Sequence, residues 1–382
     1  MESNHKMTEQ SKIFEIALCR LPGISNQVIK RLIEKTGSAE ILMSMTAMDW
    51  VEKFGIKSRK LYEALSSPKE TLIKAAEEEI DKGMKLGVDI VFFTHEHYPK
   101  RLRELPDAPA LLYVKGKNIA HYPKSIAIVG TRKSTEYGNR VTNEIIEGLS
   151  SYKPLIVSGL AYGIDIVAHK AALKHGLDTV AVLANSLDTV YPAAHKDTAK
   201  QIVQQGALVS ENRFGTTPLK TMFPARNRII SGLADAVIIV EAAESGGALI
   251  SAEMANDYNK EVFAVPGTIG QKYSEGCNAL IKNHKAQIYT SPYDVVEALN
   301  WDVVKKQKPE QSAKKVIDLS GLGDVELKVV QALQQADLLH IDELGWQTGI
   351  AQSLLSSTLL TLEFEGLVVS LPGKKFKLVG SL

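Results

Sequence analysis

The chain has 382 residues, of which 45% are hydrophobic and 23% charged, a composition typical of a folded globular protein with about two or three domains. Its formal net charge of +1 excludes attraction of nucleic acid by bulk positive charge, so any such binding must come from local clusters of charged side chains. A largely disordered chain is also excluded, because there are enough apolar residues to bury a sizeable core.

The beginning of the chain and its two cysteines show no sign of export or of metal binding. The first twelve residues, MESNHKMTEQSK, are polar and lack the apolar core of a signal peptide. No apolar run approaches the roughly 18 residues that a membrane span needs. Cys19 and Cys277 have neither CxxC spacing nor neighbouring histidines, so we expect reduced, packed thiols. These features predict a cytoplasmic protein without a metal site.

Residues 1–86 are predicted to form a helical domain, because apolar residues recur at spacings of three and four and glycines mark the helix ends. Gly23 and Gly55 each precede a helix with basic residues, which gives a weak internal repeat. Two interpretations stay open. The repeat is either a pair of helix-hairpin-helix or SAM-like units, whose backbone N–H groups bind phosphate, or a small helical bundle with glycine turns.

Residues 87–302 are predicted to form an α/β domain with a doubly wound, Rossmann-like parallel sheet. Its first part, 88–116, contains short strands and prolines, and we expect it to add an edge strand, VFFT or ALLYV. Near-continuous apolar strands then alternate with helices, a pattern typical of a parallel sheet covered on both faces. The predicted strands are 125–130, 155–159, 178–184, 207–212, 235–242 and 261–267.

Beyond this domain, the lysine-rich segment 303–317 is predicted to be a solvated linker. Residues 318–382 then show three helices and a terminal hairpin, the element order of a winged-helix domain. Winged helices bind either proteins or DNA. The third predicted helix, AQSLLSSTLLTLEFEG, contains no Lys or Arg, which argues against reading of a DNA major groove.

Polar and basic residues follow the first two strands of the predicted sheet. The loop after the first strand carries Arg132 and Lys133, and Ser158, Gly159 and Gly163 follow the second. Because ligands bind at the carboxyl ends of strands in doubly wound sheets, these residues are expected to face one crevice. The cations would attract an anion, and the glycines would let it approach the backbone closely.

The usual signatures of a Rossmann-like enzyme are missing from the sequence. There is no GxGxxG, no acidic residue at the end of the second strand to hold a ribose, and no GxxxxGK[ST] for a nucleoside triphosphate. Asp165 and His169 lie one helical turn apart. No nucleophile or metal motif accompanies them, so we expect a structural contact between the two and no catalytic residues.

An aromatic and a basic residue follow the third strand. Tyr191 has two possible roles, stacking on a nucleic-acid base or sealing the loop, and both stay open. Lys196 stands at the start of the next helix, where it is placed to contact a phosphate. An aromatic residue beside a cationic groove is how proteins hold single strands without sequence preference.

The segment 213–230 contains four basic residues and no Asp or Glu, so an anion there would meet unopposed positive charge. The four are Arg213, Lys220, Arg226 and Arg228. Arg226 and Arg228 flank Asn227 at the start of a helix, which directs their side chains to different sides. We expect one arginine to contact the ligand and the other to pair internally, with Glu241 as the candidate partner.

Six motifs occur in order between Tyr98 and Thr290: GTRKSTEYG, VSGLAYGIDIVAH, LDTVYPAAH, FPARNRIISGLADAVIIVEAAESGGALISAEMA, VFAVPG and GCNALI. Together they resemble the DprA/Smf family (DNA processing protein A). The resemblance implies a cytoplasmic protein that binds and protects single-stranded DNA, dimerises through its Rossmann-like domain, and loads the RecA recombinase during natural transformation. Because the sequence contains many candidate phosphate donors and no complete catalytic set, we expect no catalytic activity and no cofactor.

By position, the resemblance implies that the DNA backbone is received by Arg132, Gly159, Gly163, Lys196, Arg226, Asn227 and Arg228. Lys133, Ser158, Lys220, Gly246 and Gly247 complete the expected site, because they add charge or backbone access. Two places depart from the family pattern. Asn185 and Ser186 stand where a glycine-containing turn is common, and Gly246-Gly247-Ala248 replaces Ser-Gly-Ser.

The alternative is a nucleotide-processing enzyme. The same superfamily includes phosphoribohydrolases with a GGxGTxxE signature, and Gly246, Gly247 and Glu253 fall in its register. Leu249 and Ile250 replace its second glycine and its threonine, which removes donors that a phosphate loop needs. The sequence therefore favours a binding protein over an enzyme.

Overall fold

The computed structural model describes residues 9–302, 322–336, 338–371 and 373–378. The chain divides into two compact units, Met1–Trp301 and Asp302–Leu382, and each is described by itself. The predicted linker, 303–317, lies outside the described residues. No helix within the described ranges has both the length and the apolar character of a membrane span.

Six helices precede the sheet. They are α1 (Glu9–Cys19), α2 (Asn26–Thr36), α3 (Ala39–Ser44), α4 (Ala47–Phe54), α5 (Arg59–Ser66) and α6 (Glu70–Leu86). The side chains of Ser25 and Ser58 cap α2 and α5, so each helix already has a donor of its first turn satisfied within the chain. Binding of phosphate at these two helix starts therefore stays a prediction.

Nine strands form one sheet in the order β1-β2-β6-β5-β4-β3-β7-β8-β9. They are β1 (Asp89–Phe92), β2 (Leu111–Gly116), β3 (Ser125–Val129), β4 (Leu155–Ser158), β5 (Thr179–Val182), β6 (Ala207–Ser210), β7 (Ala236–Ile239), β8 (Glu261–Ala264) and β9 (Gln287–Ile288). All neighbours from β6 to β9 are parallel, which confirms the predicted fold class. Both candidate edge segments form strands, and β2 joins β6 in antiparallel pairing.

Both faces of the sheet are buried, as the near-continuous apolar strands predict. In β3, Ile126 and Ile128 pack into the core on one face, and Ala127 and Val129 into the core on the other. Full burial of such side chains contributes about 1.5–3 kcal/mol each for the larger ones. The covering helices are α7 (Lys100–Arg103), α8 (Glu136–Leu149), α9 (Ile164–Lys174), α10 (Lys196–Gln205), α11 (Met222–Leu233), α12 (Gly247–Asp257), α13 (Glu275–Lys282) and α14 (Pro292–Ala298).

A part-buried polar cluster joins the helical region to the sheet. Arg20, directly after α1, donates to both carboxylate oxygens of Glu79 in α6, at 3.0 and 2.6 Å. The hydroxyl of Tyr113 in β2 donates to the same carboxylate and accepts from Arg20. Burial raises the pKa of the Tyr113 hydroxyl, so Tyr113 contributes as a neutral donor.

The second unit has the winged-helix order of elements and a core of its own. Its elements are α15 (Asp324–Ala336), β10 (Leu339–His340), α16 (Ile341–Thr348), α17 (Gln352–Phe364), β11 (Val368–Leu371) and β12 (Lys375–Leu378), with the sheet order β10-β12-β11. Val330 from α15, Leu344 from α16 and Leu359 from α17 meet in this core. The predicted winged helix is confirmed.

Removal of Arg20 should destabilise the first unit, because the Glu79 carboxylate would stay largely buried without its cation. We expect Arg20→Met to lower the free energy of unfolding in urea by about 2 kcal/mol. Arg59→Met is the matched control, since the Arg59–Glu63 pair is exposed and should contribute less than about 0.5 kcal/mol. Equal effects of the two substitutions would contradict a structural role for the buried cluster.

Candidate nucleic-acid interface

The candidate site is a crevice at the carboxyl ends of β3, β4, β5 and β7. From β3 the chain winds outwards through β4, β5 and β6, and it then returns to place β7 on the other side of β3. The loops after β3 and β7 therefore leave in different directions. Such a switch point is where ligands bind in doubly wound sheets.

The loop after β3 exposes two cations and is held by a buried carboxylate. Arg132 and Lys133 are both exposed, and the Arg132 guanidinium lies 4.8 Å from the centre of the Phe223 ring. Glu241 accepts from the backbone N–H of Thr135 at 2.9 Å and from its hydroxyl at 2.5 Å. Glu241 thus anchors the end of the loop that carries Arg132.

Gly163 brings the loop after β4 against the loop after β3. Its φ of +74° is strained for residues with a side chain, and an added Cβ would lie 2.1 Å from the carbonyl oxygen of Thr131. The next residue, Ile164, donates its N–H to that same oxygen at 3.2 Å. Gly163 therefore serves contact between two loops of the crevice.

Arg226 was expected to contact the DNA backbone, and this prediction is corrected. Its side chain is buried beneath the floor of the crevice. Arg226 is only 5% exposed, and its Nη1 donates to the carbonyl of Gly159 at 2.7 Å and to that of Val182. A Cβ at Gly159 would lie 2.2 Å from this nitrogen, so the glycine makes room for Arg226 and not for a ligand. Ser158 is also buried, and its hydroxyl donates to the backbone carbonyl of Ile128 at 2.7 Å. These three residues position the loops.

Burial and nearby charges alter the ionisation of the groups around Arg226. Burial lowers the pKa of Arg226 to about 10, and the carboxylate of Asp165 opposes this shift. Burial likewise raises the pKa of Asp165, against the favourable charge of Arg226. Asp165 and Arg226 are therefore electrostatic partners within the first unit.

The predicted contact between Asp165 and His169 is wrong. The Nδ1 of His169 lies 2.8 Å from the hydroxyl of Thr179, which itself donates to the carbonyl of Ile156 at 2.8 Å. Because that hydroxyl proton is already used, His169 carries its own proton on Nδ1 and donates it. Burial, with the positive charges of Arg226 and His195 adding to it, lowers the pKa of His169 to about 3.

The predicted pairing of the α11 arginines with Glu241 is also wrong. Arg228 forms an ion pair with Glu211, just after β6, and both side chains are largely buried. Asn227, only 8% exposed, donates its amide to the carbonyl of Gly247 at 3.1 Å, which ties α11 to the start of α12. Both residues are therefore engaged within the chain, although the Nη1 of Arg228 is buried without a hydrogen-bond partner.

Besides Arg132 and Lys133, four predicted site residues lie at the surface. Lys196 and Lys220 are exposed, at the start of α10 and just before α11. Gly246 and Gly247 are exposed at the N-terminus of α12, a helix without a side-chain cap. An uncapped helix N-terminus offers several N–H groups and a partial positive charge to an anion.

Three aromatic rings line the same edge, and two of them were not expected. Tyr191 and Tyr162 are 48% and 50% exposed. The Tyr191 ring lies 5.9 Å from that of Phe223, whose ring also meets Arg132, and the Tyr162 ring lies 4.9 Å from His195. The signal in the sequence was the position of Phe223 directly before the basic PARNR and of Tyr162 in the loop that follows the second predicted strand.

Metal ligation finds no support in the part of the chain that the structure describes. No group of three or more His, Cys, Asp or Glu side chains there is placed to hold a metal ion. Both cysteines are free thiols, and burial raises the pKa of Cys277 to about 12. Glu253, which a phosphoribohydrolase would require, forms an ion pair with Lys285 at 3.6 Å.

The lowered pKa of His169 predicts a pH dependence of stability. Between pH 6.5 and 3 the folded chain keeps this imidazole neutral whereas the unfolded chain protonates it, so stability falls as the pH falls through this window. We expect His169→Gln to remove up to about 1.4 kcal/mol per pH unit of that dependence, measured by urea unfolding between pH 6 and 4. His121→Gln, at an exposed position, is the control and should leave the slope unchanged.

Comparison with known proteins agrees with the fold. Residues 89–300 match the family model described as DNA recombination-mediator protein A, and residues 314–374 match the DprA winged helix domain. Protein Smf of Escherichia coli is 38% identical over 282 residues, which cover 73% of this chain and 74% of that protein. DNA processing protein DprA of Streptococcus pneumoniae is 44% identical over 200 residues, 52% of this chain and 70% of that protein.

Two solved structures extend this similarity to three dimensions. The X-ray structure of DprA from Streptococcus pneumoniae superimposes with a TM-score of 0.65 at 34% identity, over 75% of this chain and 97% of that one. DprA from Helicobacter pylori, described by its single-stranded DNA binding mode, gives a TM-score of 0.51 at 32% identity, over 56% of this chain and 96% of that one. This chain therefore belongs to the DNA recombination-mediator protein A family.

Proposed function

We propose that this protein binds single-stranded DNA in the crevice and acts as a recombination mediator that loads RecA during natural transformation or homologous recombination. The observation that carries the proposal is the group of Arg132, Phe223 and Tyr191, in which an exposed cation and an exposed tyrosine adjoin a partly buried phenylalanine ring at the carboxyl edge of the sheet. Membership of the family and the single-stranded DNA binding of the Helicobacter pylori protein support it.

The phosphate groups would be bound by exposed cations and by the start of α12. Arg132, Lys133, Lys196 and Lys220 are exposed, whereas Arg226 and Arg228 are engaged within the chain. The uncapped N–H groups that follow Gly246 would donate to a phosphate, which would bind there without any side-chain cation. This arrangement is independent of base sequence, as a protein that protects incoming strands requires.

The bases would stack on the exposed aromatic rings. Tyr162 and Tyr191 are half exposed, and Phe223 lies between Tyr191 and Arg132. Stacking of a base on an aromatic side chain contributes about 1–3 kcal/mol and tolerates every base, because each base has a π face. Duplex DNA hides these faces, so the surface should prefer single strands.

Dimerisation and contact with RecA are part of the proposal and rest mainly on the family. For a dimer, the outer edge of the sheet offers exposed apolar residues: Ile288 on β9 is 49% exposed, and Ile269 in the loop after β8 is 94% exposed. Burial of such residues against a second copy would be favourable. RecA would act in the cytoplasm, where we place this protein.

The first test concerns the phosphate contacts. Arg132→Ala should weaken binding of a fluorescent oligothymidine roughly tenfold and reduce the slope of log affinity against log salt by about 0.7, because about one phosphate loses its cation. Lys174→Ala is the control, since this exposed lysine lies at the far end of α9 from the crevice. Wild-type affinity of Arg132→Ala at low salt would refute the proposed site.

The second test concerns the stacking of bases. Phe223→Leu and Tyr191→Leu should each weaken binding of oligothymidine by about 1–3 kcal/mol while leaving the salt slope unchanged. An abasic oligonucleotide of equal length provides the control, because it keeps the phosphates and lacks the bases. If these substitutions weakened binding of both oligonucleotides equally, the rings would not be stacking platforms.

A further inference from the structure

A cavity of about 600 Å³ lies in the first unit between α6 and the segment that joins β6 to α11. Its volume falls within the range of about 300–1,000 Å³ that is usual for ligand sites. One wall is formed by α6, which contributes Leu72 and Lys82 among others. The other wall is formed by the segment after β6, with Arg213, Phe214 and Met222. We call this space the α6 cavity.

The α6 cavity and the crevice share parts of their walls. Met222 lines the cavity, and the next residue, Phe223, contacts Arg132 in the crevice through its ring. Asp188 belongs to the loop after β5 that presents Tyr191 to the crevice, and it accepts from Nζ of the cavity residue Lys82 at 3.0 Å. Because the same loops bound both spaces, a strand that leaves the crevice past Phe223 meets the α6 cavity next.

Arg213 supplies the α6 cavity with a cation that the crevice does not use. It is exposed, and within residues 9–302 its guanidinium forms no ion pair and no hydrogen bond. Lys82 adds a second positive charge, with its Nζ 5.2 Å from the centre of the Phe214 ring. Lys220, also exposed, lies between Arg213 and the crevice along the chain. Exposed cations therefore continue from the crevice to the cavity, where a guanidinium without a partner suits a phosphate.

Apolar side chains in the α6 cavity suit a nucleobase. Leu72, Phe214 and Met222 are partly buried there, and Leu219 is 56% exposed. An unstacked base packs on apolar and aromatic side chains while its phosphate stays with a cation at the surface. An acidic peptide would meet the same cations, but only a strand held in the crevice makes use of the shared walls.

We propose that the α6 cavity is a second subsite for single-stranded DNA, which binds a nucleotide beyond those held in the crevice. The inference rests on the proposed function, because the strand reaches the cavity from the crevice. Arg213 contacts a phosphate of this nucleotide, and the apolar wall holds its base. A site of this kind lengthens the bound strand without adding sequence preference, since neither contact depends on which base is present.

One of the two carboxylates in the α6 cavity opposes this binding and thereby provides a test. Glu79 is neutralised by Arg20, at 2.6 Å. Glu78 is exposed and forms no ion pair within the described part of the first unit. Its negative charge repels a phosphate bound by Arg213. Removal of this charge should therefore strengthen binding, an effect that damage to the fold does not produce.

The experiment compares binding of two oligothymidines by the full chain at low salt, a short one of about four nucleotides that the crevice alone can hold and a long one of about twelve. Arg213→Ala should weaken binding of the long oligonucleotide roughly fivefold and leave that of the short one unchanged. Glu78→Gln should strengthen binding of the long one roughly twofold. Lys74→Ala and Glu77→Gln are the matched controls, because both residues are exposed on α6 outside the cavity lining.

The base contact is tested with Leu219→Gln. This side chain is 56% exposed, so the fold does not depend on it. The substitution should weaken binding of the long oligothymidine roughly threefold and leave that of an abasic strand of equal length unchanged, because only the first has a base to pack in the cavity. Equal weakening for both strands would contradict a base in the cavity.

Failure of the second subsite can be told apart from failure of the proposed function. Wild-type binding of both lengths by Arg132→Ala would refute the crevice and the cavity together. If Arg132→Ala weakens both lengths but Arg213→Ala binds the long oligonucleotide as wild type does, the cavity alone is overturned, as it would be if it held an acidic peptide instead. Equal weakening of both lengths by Arg213→Ala, or equal effects of Glu78→Gln and Glu77→Gln, overturns it as well.

Discussion

The buried guanidinium of Arg226 joins the ends of two neighbouring strands, and the exposed parts of the crevice depend on it. Its Nη1 donates to the carbonyls of Gly159, which follows β4, and of Val182, which ends β5. Carbonyls at the end of a sheet lack strand partners, and a buried one is costly unless a donor reaches it. The loops that present Tyr162 and Tyr191 start from these two points. A buried cation thus sets the geometry of the loops that carry the two exposed tyrosines.

The fold could be predicted from the sequence to the level of its class and its strands, because the pattern of apolar residues is a local property. Ile126 and Ala127 show why: adjacent residues of one strand are both buried, so the strand must lie between two layers. The order of strands was not predictable in the same way. That β2 pairs with β6 in antiparallel orientation depends on packing between segments about ninety residues apart, and no local pattern encodes it.

The candidate site likewise has some features that the sequence predicts and others that depend on the folded structure. Exposed cations such as Arg132 follow from the position of a loop at the end of a strand. Whether an arginine is exposed or buried depends on what lies above it in the folded chain, so Arg226 looked the same as Arg132 in the sequence. The partner of Arg228 also proved to be Glu211 and not Glu241, because β6 and not β7 ends beside it. The distribution of charge along a sequence predicts where an anion is attracted, but it does not predict which side chains form ion pairs with each other.

Gly159 and Arg226 form a unit that evolution can alter only as a pair. A methyl group at position 159 would lie 2.2 Å from the guanidinium, so any side chain there displaces Arg226 and frees two buried carbonyls at once. Conversely, loss of the arginine leaves the carbonyls of Gly159 and Val182 without this donor. Each single change therefore passes through a defective intermediate, and a comparison of many related sequences should find the two positions strongly coupled.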